Sequence, residues 1–169
     1  VWLVPWSNLL QQTASSLSDS SHPYRQKLNT LFNHSVEVYE KESLLQGANF
    51  NPTSVSEQLN IFVFNFSSLR INSKKKDDRK IYQQNGSLEA CRDTVVEQDL
   101  VLPDTDESAL INIIRSLNPL VIVDESHNAE SDLSVEMLQN LNPSFVLDLT
   151  ATPKKNSNIV NIDIRILSR

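Results

Sequence analysis

The sequence predicts an α/β fold of three layers, in which helices cover both faces of a mostly parallel sheet. The apolar run Leu120–Val123 lacks polar alternation, as is typical of a strand buried on both faces of a parallel sheet, and Phe145–Leu149 is predicted to be a second strand. An apolar helical pattern precedes each run, over residues 110–117 and 131–141, and an Asn-Pro pair separates helix from strand each time. Two consecutive helix–strand units are the pattern of an α/β domain.

Shorter elements are predicted before these two units, again with helices between strands. In order, they are a strand over 1–5, a helix capped by Ser7, a helix opened by Pro23 with Tyr24, Leu28, Leu31 and Phe32 on one face, a strand over 36–39, a short helix or turn over 40–46, a short helix from Asn51 to Gln58, and a strand over 61–66.

The middle of the chain gives weaker patterns. Residues 72–103 are predicted to be a loop-rich insertion, and the mixed charges of residues 74–80 favour a solvated loop over a phosphate-contacting one. The acids of Asp104–Ser108 predict the start of a helix, because carboxylates are favoured at helix N-termini. Near the end of the chain, residues 159–167 alternate and predict a half-exposed strand.

Composition limits the classes of protein to consider. The 169 residues suffice for one domain with a substantial core, and no stretch is long and apolar enough to predict a membrane span. One cysteine, Cys91, excludes an internal disulfide framework and fits a cytoplasmic protein. The net charge of −6 argues against a surface that binds nucleic acid all over, but it leaves room for local contacts.

Polar residues follow each of the two apolar runs. Asp124-Glu125-Ser126-His127 follows the first and Thr150-Ala151-Thr152-Pro153 follows the second. In an open α/β sheet, ligands bind at the edge where the strands end. Asp124 suits a Mg²⁺ ion, bound through a water, and Glu125 suits a general base. Taken alone, each motif also fits a plain strand exit or turn, but their order on neighbouring strands favours one site.

Asp124–His127 resembles the DExH form of the Walker B box in superfamily-two helicases and translocases, and Thr150–Thr152 resembles the Ser/Thr-Ala-Thr motif of the same motors. Within that superfamily the chain is most similar to the helicase (Res) subunit of type III restriction enzymes. Leu3–Pro5 with Asn8–Gln12 resembles an early nucleic-acid motif, and Ile61–Arg70 resembles a later one.

The resemblance implies a RecA-like domain of the P-loop NTPase type, the first motor domain of a DNA translocase that uses ATP and Mg²⁺ on duplex DNA. A DNA methyltransferase or specificity subunit is the implied partner. His127, Thr150 and Thr152 would couple the nucleotide state to DNA. The residues implied to contact the DNA backbone are Pro5, Trp6, Gln11, Gln12, Ser67, Ser68 and Arg70.

The chain departs from the family pattern at one point. The phosphate cradle G-x-x-x-x-G-K-[ST] is absent, since the only glycines are Gly47 and Gly86. The family carries it upstream of the first strand, so we expect residues 1–169 to be a partial domain, incomplete at its N-terminus and inactive alone. The second motor domain, with its arginine finger, and any nuclease domain are expected outside this stretch.

Two other functions fit parts of the sequence. A non-enzymatic α/β interaction module would explain the missing cradle. A metal-dependent nuclease would require a P-D…[DE]-x-K pattern, but Asp78-Arg79-Lys80 precedes Pro103-Asp104, which is the wrong order.

Overall fold

The computed structural model describes residues 1–70, 78–124 and 132–149. Five parallel strands form one sheet in the order β2-β3-β1-β4-β5. The strands are β1 Trp2–Val4, β2 Val36–Glu40, β3 Leu59–Asn65, β4 Leu120–Asp124 and β5 Phe145–Leu149. The predicted α/β class is confirmed, and every strand pair of the described residues is parallel.

The described part of the chain contains seven α-helices: α1 Ser7–Ser18, α2 Pro23–Leu31, α3 Lys41–Leu45, α4 Pro52–Glu57, α5 Glu89–Arg92, α6 Leu110–Ser116 and α7 Asp132–Asn140. Four short 3₁₀ helices complete the described residues, at Phe66–Leu69, Asp78–Tyr82, Gly86–Leu88 and Gln98–Leu100. The longest helix, α1, has 12 residues, and none of the described helices could span a membrane, which takes about 20.

The main core lies on one face of the sheet. Strand residues at alternating positions point to this face, and the register aligns Leu3 with both Phe64 and Val123. Helix α6 buries Leu110, Ile111, Ile113 and Ile114 here, and α7 adds Met137. The apolar pattern at residues 110–117 is therefore the core-facing side of a helix. In the pattern at residues 131–141, Met137 and Leu141 are buried, but Val135, which the pattern also predicts to be in the core, is 56% exposed.

The opposite face is covered over only part of its width. Helix α1 packs across β1, β2 and β3, where Ala14 and Leu17 are buried with Val4 and Val63. On the β4–β5 half of this face, no described helix covers the strands, and Leu120 and Phe145 are exposed. The expectation that β4 is buried on both faces is therefore wrong for the described residues, although helices do lie on both sides of the sheet.

Residues 78–103 consist of 3₁₀ turns and the short helix α5, and they pack against the core. Ile81, Leu88 and Cys91 are each at most 1% exposed. Burial raises the pKa of the Cys91 thiol, so this cysteine acts as a small apolar side chain. That this segment is an insertion, as predicted for residues 72–103, remains a prediction.

A buried asparagine fastens this irregular segment to α6. The Asn112 carboxamide donates to Thr105 Oγ1 and to the Asp106 carbonyl, both at 2.8 Å, and accepts from the Leu102 amide at 3.0 Å. All three partners precede α6 in the chain. Because Asn112 is 1% exposed, its three bonds are made by a side chain that water does not reach in the folded state.

Two predicted helix starts are wrong. Trp6, rather than Ser7, is the N-cap of α1, and no side chain caps this helix. Residues 104–108 do not open α6, which begins at Leu110. Instead, the Asp106 carboxylate accepts from the Ser108 amide at 2.8 Å and the Ser108 hydroxyl at 2.6 Å. Such short-range bonds from an aspartate compete with the helix and hold a turn.

We predict that Asn112→Ala lowers the free energy of unfolding by about 2–3 kcal/mol, because it removes three hydrogen bonds of a buried side chain and takes from the Leu102 amide its acceptor. Urea denaturation measures the change. Asn8→Ala, at an exposed position of α1, is the matched control and should change the stability by less than about 0.5 kcal/mol. Equal effects of the two substitutions would contradict the anchoring role of Asn112.

Candidate functional site

The strands of the sheet all end at one edge, and the register fixes which ends are neighbours. Val4 at the end of β1 pairs with Asn65 at the end of β3. Leu3 pairs with Val123, so Val4 stands next to Asp124, and Asp124 itself pairs with Leu149 at the end of β5. The segments that follow β1, β3, β4 and β5 therefore all start at the same edge of the sheet, from neighbouring positions.

The chain reverses direction in the sheet between β1 and β4. From β1 it passes through α1 toward β3 and β2, and from β4 it passes through α7 to β5 on the other side. Right-handed crossovers in opposite directions place the two helices on opposite faces, as α1 and α7 are found. In open α/β sheets the usual ligand site is at such a reversal of chain direction, which here lies beside the ends of β1 and β4.

Asp124 is half-buried at the last position of β4, beside this expected ligand site. The other members of the predicted nucleotide site, Glu125, His127, Thr150 and Thr152, lie outside the described residues. Mg²⁺ is commonly held by one or two carboxylates together with substrate phosphates and water, and a single strand-end aspartate fits that requirement. The described residues contain no group of three or more acidic, histidine or cysteine side chains that could hold a metal without a substrate.

Asn65 organises the neighbouring strand end. Its side-chain oxygen accepts from the Ser67 hydroxyl at 2.8 Å, the Ser68 hydroxyl at 2.8 Å and the Ser68 amide at 3.0 Å. It caps the 3₁₀ helix Phe66–Leu69 in this way. Both serine protons are thus donated within the loop, and Ser68 is only 3% exposed.

The predicted DNA-contacting residues therefore fall into two groups. Trp6, which is 53% exposed, and Arg70, Gln11 and Gln12 present their side chains to solvent, whereas Pro5 is half-buried. Trp6 and Arg70 follow neighbouring strand ends. Ser67 and Ser68 would have to break their bonds to Asn65 before they could donate to a phosphate oxygen.

A groove of about 500 Å³ opens at the same edge, between α1 and the ends of β2 and β3. Leu10 and Ala14 form its apolar side, and Lys41, Asn65 and Ser68 contribute polar atoms. The Lys41 ammonium lies 3.5 Å from the Glu42 carboxylate, which offsets its charge.

Sequence reasoning missed both Asn65 and Lys41. For Asn65 a signal exists, because an asparagine at the end of a strand, with serines two and three residues later, is typical of a capped turn. For Lys41 the sequence contains no such signal, since only the packing of α1 against β2 and β3 creates the groove.

Comparison with known proteins gives one family. The family model described as type III restriction enzyme, res subunit, matches residues 1–155. No curated protein matches the chain.

We predict that Asn65→Ala lowers the protection of the Ser68 amide from hydrogen exchange about fivefold to thirtyfold, because a cap is worth about 1–2 kcal/mol. Exchange measured by NMR or mass spectrometry tests this. Asn65→Asp keeps the accepting oxygen and is the matched control, with protection close to that of the unchanged chain. Equal loss in both variants would contradict the capping role of the oxygen.

Proposed function

The chain belongs to the type III restriction enzyme res subunit family, and from that premise we propose that it forms part of a motor that couples Mg²⁺-dependent ATP hydrolysis to movement on duplex DNA. The family is one of helicase-like ATPases of restriction systems with a RecA-like α/β domain, and the five-stranded parallel sheet agrees with that fold. A DNA methyltransferase or specificity subunit is the proposed partner, and the cytoplasm is the proposed location.

The position of Asp124 is the observation that supports this proposal most. A carboxylate at the end of β4, at the point where the sheet reverses direction, is where a nucleotide-bound cation would lie. Asp124 would hold Mg²⁺ through a water. The ion, when bound, neutralises phosphate charge. Glu125, the next residue, would orient the attacking water and accept its proton.

Coupling to DNA is assigned to residues that follow the same row of strand ends. His127 follows β4, and Thr150 and Thr152 follow β5. An imidazole and two hydroxyls can form hydrogen bonds that rearrange when the terminal phosphate leaves. Because β4 and β5 are paired in register up to Asp124 and Leu149, both segments start side by side.

DNA contact is assigned to the edge beyond β1 and β3. Arg70 would pair with a backbone phosphate, and Trp6, Pro5, Gln11 and Gln12 would line the path of the strand. Ser67 and Ser68 would support this surface through Asn65 rather than bind DNA with their own protons. Such contacts position a motor on DNA without reading its sequence.

ATP hydrolysis has to be assayed on the full-length protein, because residues 1–169 contain no phosphate cradle. Gly47, two residues after the end of α3, adopts φ +64°, and a Cβ there would lie 2.6 Å from the Ser87 carbonyl oxygen. This glycine is therefore fixed by a turn, and the sequence contains no cradle around it or around Gly86. We propose that residues 1–169 alone hydrolyse ATP negligibly and that the full-length protein supplies the cradle.

An interaction module is the second candidate, and the missing cradle is the observation that favours it. It would replace the motor if the full-length protein also lacked G-x-x-x-x-G-K-[ST].

We predict that the full-length protein hydrolyses ATP with Mg²⁺, that duplex DNA stimulates this turnover, and that Glu125→Gln lowers it about a hundredfold or more. Retained ATP binding in the variant, measured by calorimetry, is the control for folding. If turnover is absent, or survives the substitution, Asp124 and Glu125 are only the solvated end of a strand, and the interaction module is favoured.

We predict that Arg70→Ala in the full-length protein weakens duplex DNA binding and reduces the slope of log K against log salt concentration by about 1, as expected for one lost phosphate contact. Fluorescence anisotropy at several salt concentrations measures both. Arg92→Ala is the matched control, because Arg92 is paired with Glu89 and Glu107 away from the strand ends. A slope unchanged by Arg70→Ala would remove this residue from the DNA-binding surface.

A further inference from the structure

One tyrosine hydroxyl lies between the loop that follows β3 and the end of α7. We propose that Tyr82 is a positioning residue that couples DNA contact at this loop to the nucleotide side of the domain, and that it acts through Asn140. The inference rests on the proposed function, because it concerns how DNA stimulates ATP hydrolysis. Tyr82 itself is assigned no contact with DNA or ATP.

The Tyr82 hydroxyl holds the peptide group that joins Leu69 to Arg70. It donates to the Leu69 carbonyl at 2.8 Å, and the Arg70 amide of the same peptide group donates to the Ser67 carbonyl at 3.2 Å. Because a peptide group is planar, bonds at both of its polar atoms fix its orientation. Arg70 is exposed and is assigned to a DNA phosphate, so a phosphate that moves Arg70 also acts on the bond to Tyr82.

The Tyr82 hydroxyl keeps its proton and has capacity for a second partner. Its side chain packs against the main core, beside the fully buried Leu69 and Ile81. This burial raises the pKa of Tyr82 to about 12, so the phenol is protonated at neutral pH and donates to the carbonyl. A phenol oxygen can also accept a hydrogen bond while it donates one.

Asn140, the last residue of α7, is placed to be that second partner. Its carboxamide faces the Tyr82 hydroxyl. The side-chain nitrogen of Asn140 is buried, yet it donates to no acceptor among the residues that the structure describes. A buried donor without an acceptor is costly, so a small shift of the helix end that closes this bond is favoured. The contact therefore has two states, one with the bond open and one with it closed.

Helix α7 carries this shift to the nucleotide side. Between Glu125 and Thr150, both assigned to the nucleotide site, the chain runs through α7 and β5. The Arg115 guanidinium holds the end of α7 by donating to the Asn140 carbonyl at 2.8 Å. Because a packed helix moves as one rigid element, a displacement at its start when nucleotide is bound or lost reaches Asn140.

ATP hydrolysis by the full-length protein, measured over a range of duplex DNA concentrations, tests the coupling. We expect Tyr82→Phe to lower the ratio of turnover at saturating DNA to turnover without DNA about fivefold, because a buried hydrogen bond is lost. The salt dependence of DNA binding should stay that of the unchanged protein, since Tyr82 contacts no phosphate. Tyr39→Phe is the matched control, because the Tyr39 hydroxyl also donates to a carbonyl, that of Asn49 at 3.0 Å, but in the edge strand β2. This control should leave the ratio unchanged.

A second variant separates coupling from a merely structural role. Asn140→Leu removes the amide and keeps about the same side-chain size, so it should lower the ratio by a similar factor. Because both substitutions break one contact, the double variant should lower the ratio no further than Tyr82→Phe alone, whereas independent effects would multiply. ATP binding measured by calorimetry confirms that each variant is folded.

The outcomes distinguish this inference from the proposed function. If DNA does not stimulate the unchanged protein, the proposed function fails and the inference fails with it. If DNA stimulates the unchanged protein and stimulation survives Tyr82→Phe or Asn140→Leu, or the two losses multiply, the inference alone is overturned.

Discussion

The parallel register of the sheet is the constraint on which the candidate site depends. Because all five strands run in one direction, every segment that follows a strand starts from the same edge. The pairs Val4–Asn65 and Asp124–Leu149 then make neighbours of residues far apart in the sequence. The central position of β1 adds a reversal of chain direction next to Asp124, and such a reversal is the usual ligand site of open α/β sheets. A single antiparallel strand in this row would move its polar residues to the far edge.

The two faces of the sheet are packed differently beneath that edge. One face rests on a continuous apolar core that includes α6, and Asn112 fastens the irregular segment before α6 to it. Arg115 extends the same side by donating to the carbonyls of Gln139 and Asn140 at the end of α7. The other face carries α1 over three strands, and among the described residues Leu120 of β4 and Phe145 of β5 are exposed there.

Sequence patterns predicted the strands and most helices because each depends on local chemistry: apolar runs for β4 and β5, Pro23 and Asn51 at helix starts. The sequence patterns failed where the local structure or the burial depends on contacts with residues far away in the chain. Asp104–Ser108 has the composition of a helix start, but Asp106 bonds Ser108 in a turn. The stripe of α2 has core spacing, yet its place at the sheet edge leaves it exposed. In the site, Asp124 followed from its strand, whereas Lys41 required the groove formed by α1.

The central claim is that a nucleotide-bound metal lies beside the ends of β1 and β4. Mapping the position of the divalent cation tests this claim most directly. With Fe²⁺ in place of Mg²⁺, ATP bound to the full-length protein, and hydrogen peroxide and ascorbate added, hydroxyl radicals formed at the metal would cut the nearby backbone. We expect cuts just after Asp124 and near Pro5, mapped by mass spectrometry, and their loss without ATP. Cuts at the opposite ends of the strands, near Leu120 or Phe145, would contradict the account.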